Sequence, residues 1–176
     1  MENTLVILKP DAVERRLIGR VLTRFEDAGL AISRLELRSA DAATVEQHYP
    51  NSPEWLGGVG DKTLGDYESQ GVDPTTALGT ADAVAIGRIV KRWLIEFMTS
   101  GPVVVAVISG NRAVEIVRKI VGTTLPVTAA PGTIRGDYST DSPDTANQEQ
   151  RPVKNLIHAS GTQSEAEDEI ALWFGQ

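Results

Sequence analysis

Val103-Val104-Val105-Ala106-Val107-Ile108 is the most strand-like run in the chain, β-branched and unbroken. Upstream, Ile86, Ile89, Val90, Trp93, Leu94 and Phe97 form a helical stripe that ends before Gly101-Pro102. Downstream, after Gly110, a second stripe carries Ala113, Val114, Val117, Ile120 and Val121, and Gly122 stops it. The centre of the chain therefore reads helix, strand, helix. Nearer the N-terminus, residues 4–8 are a continuous apolar run, suited to a strand buried on both faces. Ile18, Val21, Leu22 and Phe25 follow at i, i+3, i+4, i+7, an amphipathic helix stopped by Gly29. Leu30, Ile32, Leu35 and Leu37 read as a further strand, and its alternation slips by one between Ile32 and Leu35, which predicts a bulge. Asp41 is placed to cap a short helix over residues 42–49. Asn155-Leu156-Ile157-His158-Ala159-Ser160 reads as a short buried strand with His158 at its end, on a turn. Ser164 and Glu167 then have capping-box spacing, ahead of Ala166, Ile170, Trp173 and Phe174.

Stripped of two interruptions, this order is β-α-β-β-α-β. The class is α+β, a ferredoxin-like antiparallel sheet with helices on one face, in a single domain over residues 1–176. One interruption, about 50–82, is rich in Gly, Pro, Asp, Ser and Thr. It reads as an inserted segment with one helix near residues 64–69, at the surface or a subunit contact. The other is an extended loop over residues 123–154, whose acidic part (139–150) is expected to be solvated. This fold implies no function by itself.

Composition narrows the classes. A net charge of −7 with a pI near 4.9 argues against a dedicated nucleic-acid or anionic-membrane binder, though not against a local basic pocket. An RNA-binding sheet would also need exposed aromatics, and residues 103–108 contain none. The absence of cysteine excludes disulfides, thiol catalysis and cysteine metal sites. No signal peptide is visible and no apolar run is long enough to span a bilayer, so a cytoplasmic protein without a membrane partner is expected.

Several residues are candidates for chemistry. His158 leaves a core strand for an exposed edge, although a strand-end histidine most often only satisfies a hydrogen bond. Lys9, in Lys9-Pro10-Asp11, stands where a buried strand emerges, and Pro10 blocks extension of the ladder. Tyr49 suits either a core aromatic or a hydroxyl donor to phosphate, and Arg118 lies opposite the apolar stripe of its helix. In Pro131-Gly132-Thr133-Ile134-Arg135-Gly136-Asp137 the arginine fork suits phosphate oxygens, and Asp137 suits holding the loop or that arginine. Gly57-Gly58-Val59-Gly60-Asp61-Lys62-Thr63 imitates a phosphate loop. It fails because Asp61 precedes the lysine and no buried strand precedes the stretch.

Taken with Thr99-Ser100-Gly101-Pro102-Val103, Glu169-Ile170 and Leu172-Trp173-Phe174, these motifs resemble the nucleoside diphosphate kinase family nearly end to end and in family order. The resemblance implies ping-pong transfer of a γ-phosphoryl from a nucleoside triphosphate such as ATP to a nucleoside diphosphate. His158 matches the family nucleophile, Glu169 the carboxylate holding its other nitrogen, and Ser160 the nearby hydroxyl. Lys9 and Asn155 match the residues at the ribose hydroxyls, with Lys9 also near the transferred phosphate. Arg118, Thr124 and Arg135 match the phosphate binders, and Tyr49 a tyrosine beside the nucleophile. Mg²⁺ would come on nucleotide and water, with no protein cage.

The chain departs from the pattern in three places. Val90 stands where the family has an aromatic against the base, so the inserted segment is a candidate for that contact. The loop before Asn155 is longer than usual. The sequence ends at Phe174-Gly175-Gln176 without the tail some relatives use in assembly. A homo-oligomer is expected, with a hexamer ahead of a dimer or tetramer. The alternative is a catalytically inactive family member serving as an interaction or regulatory protein; the retained polar set argues against it.

Overall fold

A strand apolar on both faces needs cover on both, and β3 (Pro102–Gly110), inside the sheet, obtains it from the helices packed on either face. The computed structural model describes residues 1–175; Gln176 lies outside them. Its sheet has the order β2-β3-β1-β4, with β1 at Glu2–Leu8, β2 at Ala31–Ser39 and β4 at Ile157–Ala159. All pairs are antiparallel: Val6 faces Ala106 across β1–β3 and Ala159 across β1–β4. The β2–β3 register shifts between Ile32 and Arg34, so the bulge expected from the broken alternation is present. Ser33 occupies it and donates its hydroxyl to the Val107 carbonyl at 3.2 Å.

Strand periodicity splits the core in two. Val6, Leu8, Val104, Ala106 and Ile108 pack with Val21 and Phe25 of α2 (Ile18–Asp27) and with Val117 and Val121 of α7 (Ala113–Val121). The two crossover helices share that face, as a ferredoxin-like pattern requires. The second face is covered as well. Leu5, Ile7, Val103, Val105 and Val107 meet Val45 of α3 (Ala42–His48), Met98 of α6 (Ala83–Thr99), and Trp173 and Phe174 of α10 (Gln163–Phe174).

Four local expectations are corrected. The segment expected to hold one helix near residues 64–69 holds two, α4 (Pro53–Ser69) and α5 (Pro74–Leu78). Ser52 caps α4, accepting from the Trp55 amide at 3.2 Å. One glycine on each helix marks the crossing of α4 and α6: a Cβ at Gly60 would lie 1.8 Å from the Ala83 carbonyl oxygen, and one at Gly87 2.0 Å from that of Leu56. The α4 and α6 backbones therefore touch, and packing overrides the poor helix propensity. Residues 123–154 contain a 3₁₀ turn (Pro126–Thr128), α8 (Ile134–Tyr138) and α9 (Pro143–Gln148). The part expected to be solvated buries Ser139 and Ala146. A further short helix, α1 (Pro10–Glu14), follows Lys9. Finally, Thr162 and not Ser164 caps α10, accepting from the Glu165 amide at 3.1 Å. Among the described residues, no helix is long and apolar enough to cross a membrane.

Candidate active site

His158 is the middle residue of β4, opposite Ile7, rather than on a turn after it. Its side chain is 20% exposed. The preceding residue but one bends the chain: Leu156 has φ +71°, a left-handed conformation unfavourable for a branched residue. Neighbouring groups hold that kink. The Leu156 amide donates to Asp11 Oδ2 at 3.1 Å, and the Leu156 carbonyl accepts from the Lys9 amide at 2.8 Å. Thus Lys9-Pro10-Asp11 is stitched to the segment that presents the histidine.

Glu169, on α10, lies behind the ring. Its Oε1 is 2.8 Å from His158 Nε2, off the line of a straight hydrogen bond, and its Oε2 accepts from the Ser160 hydroxyl at 2.6 Å. The Ser160 oxygen in turn accepts from the Leu5 amide at 3.3 Å, which ties the carboxylate to β1. With Nε2 facing Glu169, Nδ1 is the nitrogen left for chemistry. Burial, and then the nearby Lys9 cation, hold the imidazole down at about 3, so it is neutral at pH 7. Burial also raises the Glu169 carboxyl, against the pull of His48 and the Ser160 hydroxyl.

The cations form one connected group. Lys9 Nζ donates to Asn155 Oδ1 at 2.8 Å, and Asn155 Nδ2 donates to the Thr124 carbonyl at 2.9 Å. Burial, then Arg135, bring the Lys9 ammonium down to about 8. Arg135 is buried and clamps three carbonyls, those of Asn155 (3.2 Å), Gly122 (3.0 Å) and Ile157 (2.6 Å). A guanidinium carries five N–H donors, so two stay available to a ligand. Burial and the neighbouring Arg118 lower it to about 10, still charged at neutral pH.

These groups converge. Lys9, Tyr49, Arg118, Thr124, Arg135, Asn155 and His158 all line one cavity of about 560 Å³. Ser160 and Glu169 complete the set behind the ring, so the structure brings together every residue proposed from sequence. Tyr49 packs edge-on to His48, and burial raises its hydroxyl. Asp137 does not pair with Arg135. It holds the loop, accepting from the Gly132 amide at 2.7 Å and from Arg24 at 2.9 Å.

Other residues escaped the sequence reading. The phosphate-loop imitation lies within α4, yet its Val59, Lys62 and Thr63 line the cavity beside Trp55, opposite Val90 and Leu94 of α6. Val153 adds a further apolar wall. His48 falls within the helix expected over residues 42–49, with no role assigned to it. Its ring stands edge-on to His158 at 4.5 Å between centroids, and Nδ1 accepts from Trp173 Nε1 at 3.2 Å. Asp11 was visible only as part of a turn. The signal for His48 was composition: the chain has two histidines, and both are here.

A family model described as "Nucleoside diphosphate kinase" matches residues 2–54 and 86–176, passing over the segment that holds α4 and α5. A nucleoside diphosphate kinase of Pyrobaculum aerophilum is 57% identical over 174 residues, 99% of this chain and 95% of the relative. The crystal structure of an NDP kinase from the same organism superposes with a TM-score of 0.97 at 56% identity, covering 98% of this chain and 95% of that one. A transition-state mimic of the Borrelia burgdorferi nucleoside-diphosphate kinase, with bound vanadate and ADP, gives 0.76 at 33% identity, covering 98% and 86%.

Proposed function

The chain belongs to the nucleoside diphosphate kinase family, and we propose that it moves the γ-phosphoryl of a nucleoside triphosphate to a nucleoside diphosphate through His158. The observation that carries this reading is one neutral imidazole, backed by a carboxylate, facing a cavity lined by Lys9, Arg118 and Arg135.

In the first half-reaction Nδ1 of His158 attacks the γ-phosphorus of a triphosphate such as ATP. A nitrogen–phosphorus bond forms, the bond to the β–γ bridging oxygen breaks, and the diphosphate departs with that electron pair. The ring becomes cationic as it takes the phosphoryl, and Glu169 at 2.8 Å from Nε2 stabilises that charge. In the second half a terminal phosphate oxygen of another nucleoside diphosphate attacks the phosphohistidine, and the nitrogen–phosphorus electrons return to Nδ1. Little covalent work falls to other side chains, so positioning and positive charge carry the rate. Lys9, Arg118, Arg135 and the Thr124 hydroxyl supply that charge and those donors, with Tyr49 beside the nucleophile. Lys9 and Asn155 hold the ribose hydroxyls. Ser160 keeps Glu169 aimed at the ring.

The cavity fits magnesium only as a passenger on phosphate. Its lining has one carboxylate, Glu165, and that group already accepts from the Gly161 amide at 2.7 Å. Mg²⁺ bound to phosphate oxygens and water would neutralise charge on the leaving group. For the base, the apolar cavity wall formed by Val59 of α4 and by Val90 and Leu94 of α6 takes the place of an aromatic contact at Val90. We also propose a homo-oligomer, with a hexamer first. Leu35 and Leu37 on the edge strand β2 are 48% and 64% exposed, an apolar edge suited to a second copy.

The test is transfer itself. The protein is incubated with γ-labelled ATP, freed of nucleotide and chased with GDP. The expected result is an acid-labile phosphoenzyme whose label moves to GTP, absent in His158→Ala. Acid-stable label, or transfer surviving in that variant, overturns the reading.

A further inference from the structure

A second cavity of about 650 Å³ adjoins the first and shares Tyr49, Trp55, His158 and Glu165 with it. His48, His158 and Glu169 form its floor, and the carboxylates of Glu165 and Asp168 stand on its walls. The three floor residues offer two imidazole nitrogens and one carboxylate oxygen, all within 4.8 Å of one another. His158 Nε2 is 2.8 Å and His48 Nδ1 3.3 Å from the same Glu169 Oε1. Zinc–ligand bonds of about 2.0–2.2 Å place tetrahedral ligand atoms roughly 3.3 Å apart, so this trio is within small side-chain adjustments of a His₂Glu set.

We propose that His48, His158 and Glu169 bind one divalent transition ion of the zinc class, and that the bound ion shuts off phosphoryl acceptance. Two further observations support the site. The His158 Nε2 atom is buried and lacks a well-aligned hydrogen-bond partner. The Ser160 hydroxyl on Glu169 Oε2 orients the carboxylate in the manner of an outer-shell partner. The donor set selects the ion: imidazole suits zinc, whereas magnesium prefers oxygen and retains water. The magnesium that accompanies the nucleotide is therefore no competitor here. Coordination takes Glu169 and Nε2 of the nucleophile together, which removes the carboxylate's support for charge on the ring. It also takes the His48 lone pair from the Trp173 indole N–H, so tryptophan emission should respond.

The nucleotide-free protein is titrated with Co²⁺, followed by its visible absorption, and with Zn²⁺, followed by ¹⁵N imidazole spectra. The chain has two histidines, so each resonance is accounted for. One equivalent should give the strong absorption of tetrahedral cobalt and move both imidazoles together, with excess Mg²⁺ without effect. His48→Asn should weaken the ion about tenfold or more. Labelling by ATP should fall in step with occupancy and return on chelation. Binding that leaves either imidazole unmoved, or that is unchanged in His48→Asn, overturns the site; full occupancy with undiminished labelling overturns the inhibition. The binding readouts need no nucleotide, so they stand or fall apart from the phosphoryl-transfer reading.

Discussion

At the level of single residues, the site depends on groups whose protonation is set by burial. Lys9 is the clearest case. Its ammonium titrates near 8 in the folded protein, so it is charged at pH 7 and loses that charge as the pH rises. The proposed triphosphate contact weakens with it. The kcat/KM for the donor nucleotide should therefore fall above about pH 8, and that limb should vanish in Lys9→Gln. In the proposed transfer Glu169 acts through Nε2 of His158, 2.8 Å from its Oε1. Glu169→Gln keeps the shape and removes the negative charge, and a hydrogen bond to a charged group is worth about 1.5–3 kcal/mol. That corresponds to a loss in the rate of phosphoenzyme formation of roughly tenfold to a hundredfold, measured by rapid quench. Glu169, Ser160, Asn155 and Thr124 were legible only through the family resemblance, whereas His158, Lys9, Tyr49, Arg118 and Arg135 were legible from their own sequence surroundings. His48 and Trp173 were not: they meet across residues 48 and 173, and nothing in the order of the chain reveals that contact.

At the level of elements, legibility followed periodicity. β1, β3, α6 and α7 carry unbroken apolar patterns and stand where those patterns place them. The β2 bulge was visible as one missed alternation. Only residues 64–69 of α4 were visible as helix, because glycine-rich sequence reads as loop until its packing partner is known. Gly60 and Gly87 exist for a crossing that only the fold supplies. Gly60→Ala drives a methyl into the Ala83 carbonyl and must push α4 away from α6. The expected cost is about 1–3 kcal/mol, read as a lower denaturation midpoint. If the cavity wall that these helices form holds the base, KM should rise more than kcat falls. A variant with unchanged KM for every nucleotide would remove α4 from the proposed base contact. α8 was hidden for a related reason: its sequence is a tight turn whose Arg135 clamps the carbonyls of Gly122, Asn155 and Ile157. Arg135→Lys cannot reproduce that fork and should destabilise the fold by about 2–4 kcal/mol, besides weakening phosphate binding.

At the level of the whole molecule, the sheet is covered on both faces, and the site stands where β1, β4 and α10 meet. Burying two neutral histidines there has a cost in acid. Each titrates near 3 when folded and near 6.5 as an ordinary histidine, so between those values the unfolded chain binds more protons. The pair's contribution to stability should be level above about pH 6.5 and fall as the pH drops towards 3, by several kcal/mol. Glu169, raised by burial, opposes that trend by taking up a proton in the folded state. Chemical denaturation from pH 7 to 4 checks this, and His48→Asn should flatten the slope. The measurement that bears most directly on the central claim is the location of the transferred phosphorus. The uniformly ¹⁵N-labelled protein, phosphorylated by ATP and freed of nucleotide, should show phosphorus coupled to Nδ1 of His158, with Nε2 still protonated towards Glu169. Phosphorus on Nε2, on His48, or on no imidazole would contradict the account.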